Sequence, residues 1–230
     1  MRSYPSFRHD SFVNRFRTVL FDLDGTLVDQ FAAIHRTHAQ TREHFGFAAP
    51  TMDEVRRAVG GGLENAIAKI WHHENEELIP EAARVYREFW PKNMFFELQL
   101  MPGARELLVA LKTRGVQSAV LTNKHAPSSR ELLEHLGVAE FLSGIFGAGD
   151  TPWLKPQIEF TQYALRALGA EVETSCLIGD STYDVETGKT AKLKTFCVTT
   201  GTHSAEELVE AKADGVYASL AELGRVELGV

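Results

Sequence analysis

The sequence is poor in the features that mark several large classes of protein. It contains two cysteines in 230 residues, Cys176 and Cys197. Each lies in an apolar run, so we expect small buried side chains rather than a disulfide or a metal pair. No stretch approaches the roughly 20 apolar residues that span a bilayer. No dense Lys/Arg block marks a nucleic-acid-binding surface. We therefore expect neither a membrane nor a nucleic acid as a partner.

The composition is that of an ordinary globular protein. Hydrophobic residues make up 44% and charged residues 24%, and the net charge is −7. This acidic balance suits a cytoplasmic protein that takes cations and small anions at a local site. The length allows one large domain or a domain with a sizeable insertion. Residues 1–16 are rich in Arg, Ser and His and lack an apolar core, so we expect a loosely packed extension and no secretory signal.

The most informative stretch follows the first predicted strand, residues 17–21. Asp22 and Asp24 stand two residues apart and therefore start on the same face of an extended chain, where Gly25 ends the strand. Two carboxylates held this close repel one another, and burying them costs several kcal/mol unless a positive charge is present. A divalent cation is the simplest remedy, and Asp oxygens are ligands that Mg²⁺ prefers.

The remaining pattern divides the chain into a helical block and an alternating part. Residues 29–100 predict helices alone, with Thr51 and Glu54 as a capping box and residues 91–102 as a return linker. Beyond that point strands and helices alternate, which predicts an α/β fold with a parallel sheet covered on both faces. The predicted helices are 29–45, 51 onward, 63–71, 80–90, 103–114, 127–136, 157–168, 184–191 and 205–211. The later strands are 116–121, 146–149, 176–179, 195–199 and 215–217.

Polar residues follow three of the predicted strands. They are the Asp22 and Asp24 pair, Thr122-Asn123, and Asp180; Lys155 lies in a loop between strands. Alone, each has an ordinary explanation as a turn, a helix cap or a surface lysine. Together they fall where an open α/β sheet collects its ligands, beyond the carboxyl ends of the strands.

These four features resemble, in order, the four motifs of the haloacid dehalogenase-like (HAD) superfamily. The run Asp22-Leu23-Asp24-Gly25-Thr26-Leu27 resembles its first motif, and Thr122-Asn123-Lys124 and Ile178-Gly179-Asp180-Ser181 resemble the phosphoglycolate phosphatase-like group. The resemblance covers residues 17–220. It implies a Rossmann-like core from residues 17–28 and 101–230 with an inserted helical cap domain at 29–100. One departure is visible, since Lys155-Pro156-Gln157-Ile158 lacks the second proline common among relatives.

The resemblance also implies a role for each motif residue. Asp22 would be the nucleophile, and Asp24 would protonate the leaving group and later deprotonate water. Mg²⁺ would be held by Asp22, the Asp24 main-chain carbonyl and Asp180, with Asp184 in support. The phosphoryl oxygens would be held by a set of three further groups: Thr122, the Asn123 main chain and Lys155.

The helical block offers weaker candidates for contact with the leaving group. Gly60-Gly61-Gly62 allows a close approach of main chain to ligand, with Gly61 as the candidate contact, but also fits a plain turn between helices. Several basic side chains could read an anionic substrate, although each is more often a surface residue: Arg36, Lys69, His72 and His73. Trp71 and Trp90 are more often core residues.

The resemblance implies a Mg²⁺-dependent phosphatase for a small phosphorylated metabolite such as phosphoglycolate, acting as a monomer or homodimer. A pyrophosphatase is a close alternative. A sugar phosphomutase is another, for which His35 on the first cap helix would supply acid–base help. A phosphate-binding module without catalysis is the alternative outside enzymes, but it would be expected to lose a motif residue.

Overall fold

The computed structural model describes residues 15–71 and 76–230. The strands are β1 (Thr18–Phe21), β2 (Val28–Asp29), β3 (Gln99–Leu100), β4 (Gln117–His125), β5 (Gly144–Ala148), β6 (Ser175–Gly179), β7 (Lys194–Val198) and β8 (Gly215–Tyr217). The α-helices are α1 (Phe31–His44), α2 (Met52–Ala58), α3 (Leu63–Ile70), α4 (Ile79–Asn93), α5 (Ala104–Thr113), α6 (Ala126–His135), α7 (Ile158–Leu168), α8 (Thr182–Ala191), α9 (Ala205–Glu210) and α10 (Leu220–Leu223). Short 3₁₀ turns span Glu76–Leu78, Ala139–Phe141 and Val172–Thr174, and a π-turn spans Gly224–Leu228.

Six strands form one parallel sheet in the order β5-β4-β1-β6-β7-β8. β1 lies between β4 and β6 and is buried along its whole length. Its side chains alternate between two apolar clusters: Val19 and Phe21 pack in one, and Leu20 packs in the other. β1 is therefore covered on both faces, as the central strand of a parallel sheet must be. The α/β class and the parallel sheet expected from the sequence are confirmed.

The helical block has an apolar cluster of its own. α1 to α4 bring together the side chains of Ile34, Val55, Ile67, Trp71 and Trp90, with the Phe45 and Phe47 rings edge-on to Trp71. The capping box of Thr51 and Glu54 is formed as predicted. On the basis of this separate cluster we propose that the chain divides into a cap at 29–100 and a core at 17–28 and 101–230.

Residues 91–102 are not simply a linker. α4 continues through Pro91 to Asn93, and the bond from the Met94 N–H to the Trp90 carbonyl is intact. The buried side chains of Trp90 and Asn93 hold this last turn although proline removes one donor within it. The chain then forms β3, which pairs antiparallel with β2. The sequence prediction missed this two-stranded ribbon, where the chain enters and leaves the helical block.

The limits of several other elements also differ from the prediction. β4 runs to His125 rather than residue 121, with an irregular register after Leu121, so the polar Thr122-Asn123 pair belongs to the strand. β5 spans residues 144–148 rather than 146–149. Phe16 was assigned to a loose extension, but it is buried edge-on against Phe196 and belongs to the core. The rest of that extension, residues 1–14, lies outside the described residues.

No helix among the described residues is long and apolar enough to cross a membrane. Both cysteines are buried and free, as expected.

Candidate active site

The carboxyl ends of β1, β4 and β6 bring the predicted site residues to one edge of the sheet. Asp22 follows β1, and its N–H donates to the carbonyl of Ile178 on the neighbouring β6 at 2.8 Å. Thr122 and Asn123 lie in the last part of β4, and Asp180 follows β6. All four side chains are buried. The sequence prediction that these groups converge is therefore matched by their positions.

Lys155 joins this group from the loop after β5. Its side chain is only 1% exposed, and its Nζ lies 2.8 Å from Asp22 Oδ1 and 2.7 Å from Asp184 Oδ1. Burial alone would lower the pKa of Lys155, but the Asp184 and Asp22 carboxylates raise it above its ordinary value. Lys155 is therefore a fixed positive charge beside the predicted nucleophile.

Asp180 and Asp184 are held by separate sets of donors. Asp180 accepts from the Thr26 hydroxyl at 2.9 Å and from the Thr202 N–H and hydroxyl at 2.8 and 3.0 Å. Asp184 Oδ2 accepts from the N–H groups of Asp180 and Ser181 and from the Ser181 hydroxyl. That set includes the capping box of α8. Its other oxygen, Oδ1, is thus left for Lys155.

Glycine is required beside Asp180. A Cβ atom built on Gly201 would lie 2.0 Å from Asp180 Oδ2, and one on Gly25 would lie 2.8 Å from the same oxygen. Gly25 also has a φ of +86°, which side-chain-bearing residues rarely adopt. The loops after β1 and β7 can therefore close around Asp180 only with glycine at these two positions.

The three carboxylates form a site that fits a divalent cation. Oxygens of Asp22, Asp180 and Asp184 lie within 4.8 Å of one another, and all three residues are buried. Lys155 offsets one of these negative charges, while no Lys, Arg or His contacts Asp180 within the described residues. Burial raises the pKa of Asp22 to about 6 against the pull of Lys155, and burial, Asp22 and Asp184 raise that of Asp180 well above its ordinary value. A hard dication would remove this electrostatic cost.

Asp24 has a different partner from the other acids. Lys124 Nζ lies 3.0 and 3.2 Å from its two carboxylate oxygens and 4.5 Å from the ring centroid of Trp90 on α4. Lys124 thus connects the core carboxylate to the helical block. Lys124 is part of the Thr122-Asn123-Lys124 motif, but the sequence alone predicts no role for it.

The Asn123 side chain joins three main-chain groups. Its Nδ2 donates to the carbonyl oxygens of Gly60 at 2.9 Å and Lys155 at 3.0 Å, and its Oδ1 accepts from the Lys155 N–H at 2.8 Å. The resemblance implies a role for the Asn123 main chain alone. The side chain fixes the backbone of Lys155 and links it to the glycine loop of the helical block.

A cavity of about 440 Å³ lies between the sheet edge and the helical block. We call its core side the cavity floor, which comprises the lining residues Asp22, Asp24, Thr122, Asn123 and Lys124 and the buried charges behind them, Lys155, Asp180 and Asp184. The helical side also contributes Gly60, Gly62, Glu64, Arg87 and Pro91, and we reserve the name cavity wall for its remaining residues: Ile34, His38, Val59, Leu63, Ala66, Tyr86 and Trp90. The floor carries the chemistry predicted from the motifs, and the wall faces it.

The sequence profile of the haloacid dehalogenase-like hydrolase family matches residues 19–198, which include every residue of this floor. The chain belongs to that family.

Relatives of this hydrolase support the same assignment. A phosphoglycolate phosphatase of Aquifex aeolicus is 31% identical over 78% of this chain and 83% of its own length. One of Yersinia pseudotuberculosis is 28% identical over 90% and 91%. The crystal structure of a predicted phosphatase from Clostridium acetobutylicum has 29% identity and a TM-score of 0.86, covering 94% of this chain and 99% of that one. The expected superfamily, its phosphoglycolate phosphatase-like group and the expected phosphatase class of enzyme are therefore confirmed.

Several basic residues proposed to read an anionic substrate have other contacts in this hydrolase. Arg36 lies over the Phe96 ring and Lys69 over the Tyr183 ring, and neither lines the cavity. His35 Nε2 lies 2.8 Å from the Pro50 carbonyl oxygen and is likewise absent from the lining. His72 and His73 lie outside the described residues.

The glycine loop contacts both the cavity and the core. Gly60 and Gly62 line the cavity, while a Cβ on Gly61 would lie 2.7 Å from the Tyr183 hydroxyl. Substrate contact by Gly61 stays a prediction. Trp71 is buried in the helical cluster as expected, but Trp90 is both a cluster member and part of the cavity wall.

Two groups in the site were missed. His38 has the helical spacing of a core residue, and it does pack in the helical block while lining the cavity. Thr202 follows β7, whose polar end, Thr199-Thr200-Gly201-Thr202, was the available signal for a fourth contribution to the sheet edge.

Proposed function

We propose that this hydrolase is a Mg²⁺-dependent phosphatase that hydrolyses a small phosphomonoester through an aspartyl-phosphate on Asp22. The observation that carries the proposal is the buried Asp22, with Lys155 2.8 Å from one oxygen and a carboxylate cluster beside it that retains negative charge. Phosphoryl transfer needs an in-line nucleophile and neutralised equatorial oxygens, and these groups can supply both.

In the first step an Asp22 oxygen attacks phosphorus and the bond from phosphorus to the ester oxygen breaks. Asp24 gives its proton to that leaving oxygen, so the products are a neutral alcohol and a phosphorylated Asp22. In the second step Asp24 takes a proton from water, whose oxygen attacks phosphorus while the bond from phosphorus to the Asp22 oxygen breaks; phosphate leaves, and the Asp22 carboxylate and the Asp24 proton are restored. Thr122, the Asn123 main chain and Lys155 hold the phosphoryl oxygens throughout.

Mg²⁺ would be held by the Asp22 carboxylate, the Asp24 main-chain carbonyl and Asp180, with Asp184 in support. When bound it supplies positive charge to the phosphoryl oxygens and to the carboxylates around it. The chain's own part is the orientation of this set. The Thr26 and Thr202 donors fix Asp180, and the α8 cap fixes Asp184.

The names of the curated relatives make phosphoglycolate the first substrate to assay. We place the enzyme in the cytoplasm because it is acidic and its two cysteines are free thiols. We propose a monomer or a homodimer as its working form. No observation on the described residues favours the phosphomutase alternative, since the Pro50 carbonyl engages His35.

The test is release of phosphate from a panel of phosphomonoesters and pyrophosphate, with and without Mg²⁺, for wild type and Asp22→Asn. We expect Mg²⁺-dependent release that the variant loses by more than about a thousandfold. Asp53→Asn, an exposed acidic position on α2, is the matched control and should behave as wild type. Release that survives Asp22→Asn, or no release from folded wild type with Mg²⁺, would overturn the proposal.

A further inference from the structure

The cavity wall is apolar and aromatic. Beside His38 it consists of Ile34, Val59, Leu63, Ala66, Tyr86 and Trp90. The Tyr86 and Trp90 rings stack with an interplanar angle of 14° and centroids 5.8 Å apart. At about 440 Å³ the cavity falls within the size range of pockets that enclose small organic ligands. A two-carbon acid esterified to phosphate would leave most of this apolar surface without a partner.

The cations at the cavity are already paired. Lys124 contacts both oxygens of Asp24. Arg87, at the cavity rim, forms an ion pair with Glu64, which lines the same rim. Burial, followed by the neighbouring Arg87, lowers the pKa of His125 below its ordinary value, so this third lining group is neutral at pH 7. Among the described residues of the lining, Lys124 lies on the floor beside the reaction centre and Arg87 lies in an exposed pair at the rim, so neither cation belongs to the wall.

The imidazole of His38 in the wall is uncharged. His38 is 1% exposed, and its Nδ1 has no hydrogen-bond partner within the described part of the chain. Its ring lies 4.7 Å from that of Tyr86. Burial, with His35 and Arg42 nearby, lowers the pKa of His38 to about 3, so the ring is neutral at pH 7. A buried neutral imidazole suits a neutral polar atom on a ligand and brings no positive charge to an anion.

We propose that the alcohol portion of the substrate is uncharged and carries a flat apolar or aromatic group, which packs against Trp90 and Tyr86. This inference rests on the proposed phosphatase function and specifies the leaving group. The phosphoryl end lies on the cavity floor, and the organic end lies against the cavity wall. A leaving group with its own carboxylate is disfavoured because the wall would bury that charge against apolar and aromatic side chains without a partner of opposite charge.

The test compares alkyl phosphates that differ only in the organic end: benzyl, 4-carboxybenzyl and ethyl phosphate, together with phosphoglycolate. We expect kcat/KM for benzyl phosphate to exceed that for phosphoglycolate and for 4-carboxybenzyl phosphate by at least about tenfold. Equal values, or a preference for either carboxylate ester, would overturn the inference.

Variants of the wall test whether the aromatic leaving group contacts Trp90. Trp90→Ala should lower kcat/KM for benzyl phosphate by about tenfold and change ethyl phosphate by less than about threefold. Trp71→Ala, a second buried tryptophan of the helical block that does not line the cavity, is the matched control. Because removing a large buried side chain can unfold the helical block, a second test uses the half-buried Leu63, where Leu63→Lys should add a favourable contact with a substrate carboxylate. It should raise the rate on 4-carboxybenzyl phosphate relative to benzyl phosphate. Loss of rate on all esters alike in Trp90→Ala, with the fold intact, would contradict the inference.

Calorimetry separates the two proposals. Asp22→Asn with Mg²⁺ is titrated with benzyl phosphate and with phosphoglycolate, so that binding is measured without turnover. A Kd at least about tenfold lower for benzyl phosphate supports the inference even if wild type releases no phosphate, which would overturn only the proposed function. Tighter binding of phosphoglycolate would overturn the inference while leaving the phosphatase function in place.

Discussion

The cavity floor and the cavity wall differ in polarity: the floor consists of charged and polar side chains, and the wall is largely apolar. The floor holds buried charges that have fixed partners: Asp180 accepts from Thr26 and Thr202, and Lys155 pairs with two carboxylates. The wall is apolar, and its one buried imidazole leaves Nδ1 without a partner in the described residues. The floor is therefore committed to one reaction centre, whereas the wall selects a ligand by shape and polarity. Substitutions in the floor should affect every ester equally, and substitutions in the wall should distinguish between esters.

The largest effect should come from Lys155→Met. We expect loss of about a thousandfold in kcat for all esters, because a fixed positive charge beside the phosphoryl group is removed. The free energy of unfolding should also fall by about 3 kcal/mol at pH 7.5, since Asp22 and Asp184 lose their buried partner. Rate assays and chemical denaturation measure the two effects, with the exposed Lys189→Met on α8 as control. Loss confined to one ester would break the distinction between floor and wall.

The next largest effect should come from Asn123→Ala. The variant removes three hydrogen bonds to the main chain of Gly60 and Lys155, at about 1 kcal/mol each. We expect a loss of about 3 kcal/mol in stability and of ten- to a hundredfold in kcat/KM for every ester, because Lys155 loses its fixed backbone. Asn65→Ala, an exposed amide on α3, should change neither. A wild-type rate in Asn123→Ala would show that Lys155 is positioned without this side chain.

Binding of Mg²⁺ at the floor should stabilise the protein, and the size of this effect should depend on pH. The pKa of Asp22 is raised to about 6 in the metal-free fold and is about 3.9 when unfolded. The folded state therefore binds the extra proton in this range, and metal-free stability falls as pH rises from about 4 to 6. A dication binds the ionised form, so Mg²⁺ should raise Tm by several degrees more at pH 7.5 than at pH 5. Thermal scans of wild type and Asp180→Asn measure this, and an equal Mg²⁺ effect at both pH values would count against ligation by Asp22.

The smallest effect should come from His38→Phe in the wall. The pKa of His38 is lowered to about 3, so in wild type the unfolded state takes up a proton below about pH 6.5 while the folded state does not. Wild-type stability should therefore fall between pH 6.5 and pH 5, and the variant should lose roughly 2 kcal/mol less over that range. We also expect a change of a few fold in kcat/KM that differs between esters. Denaturant titrations at pH 6.5 and pH 5 measure the free energy of unfolding of wild type, His38→Phe and the exposed control His44→Phe. If His38→Phe loses as much stability between the two pH values as wild type does, His38 is not neutral in the folded protein.

The sequence predicts the floor better than the wall for a physical reason. Asp22, Thr122 and Asp180 each follow or end a recognisable strand, and parallel strands bring their carboxyl ends to one edge whatever the details of packing. Their convergence therefore needs only the order of the strands. The side-chain role of Asn123 was not predictable, because it depends on the exact approach of Gly60 and of the loop that carries Lys155.

The wall depends on how helices rotate against one another. His38 and Tyr86 lie on α1 and α4 and become neighbours through packing alone, so a helical pattern identifies both only as inward-facing. Pro91 led to a predicted end of the last cap helix at residue 90, but burial of Trp90 and Asn93 outweighs the missing donor. The same limit applies to Phe16, whose place in the core depends on Phe196, far along the chain.

The Asn123 amide also reports on the contact between the glycine loop and the core. One of its N–H groups bonds to the Gly60 carbonyl of the helical block and the other to the Lys155 carbonyl of the core. Lifting the glycine loop away would break the first bond and leave the second, so the two amide protons would report on two parts of the molecule. In ¹⁵N-labelled protein, their separate chemical shifts would then show whether the bond to Gly60 is made or broken, without an attached fluorescent or spin probe.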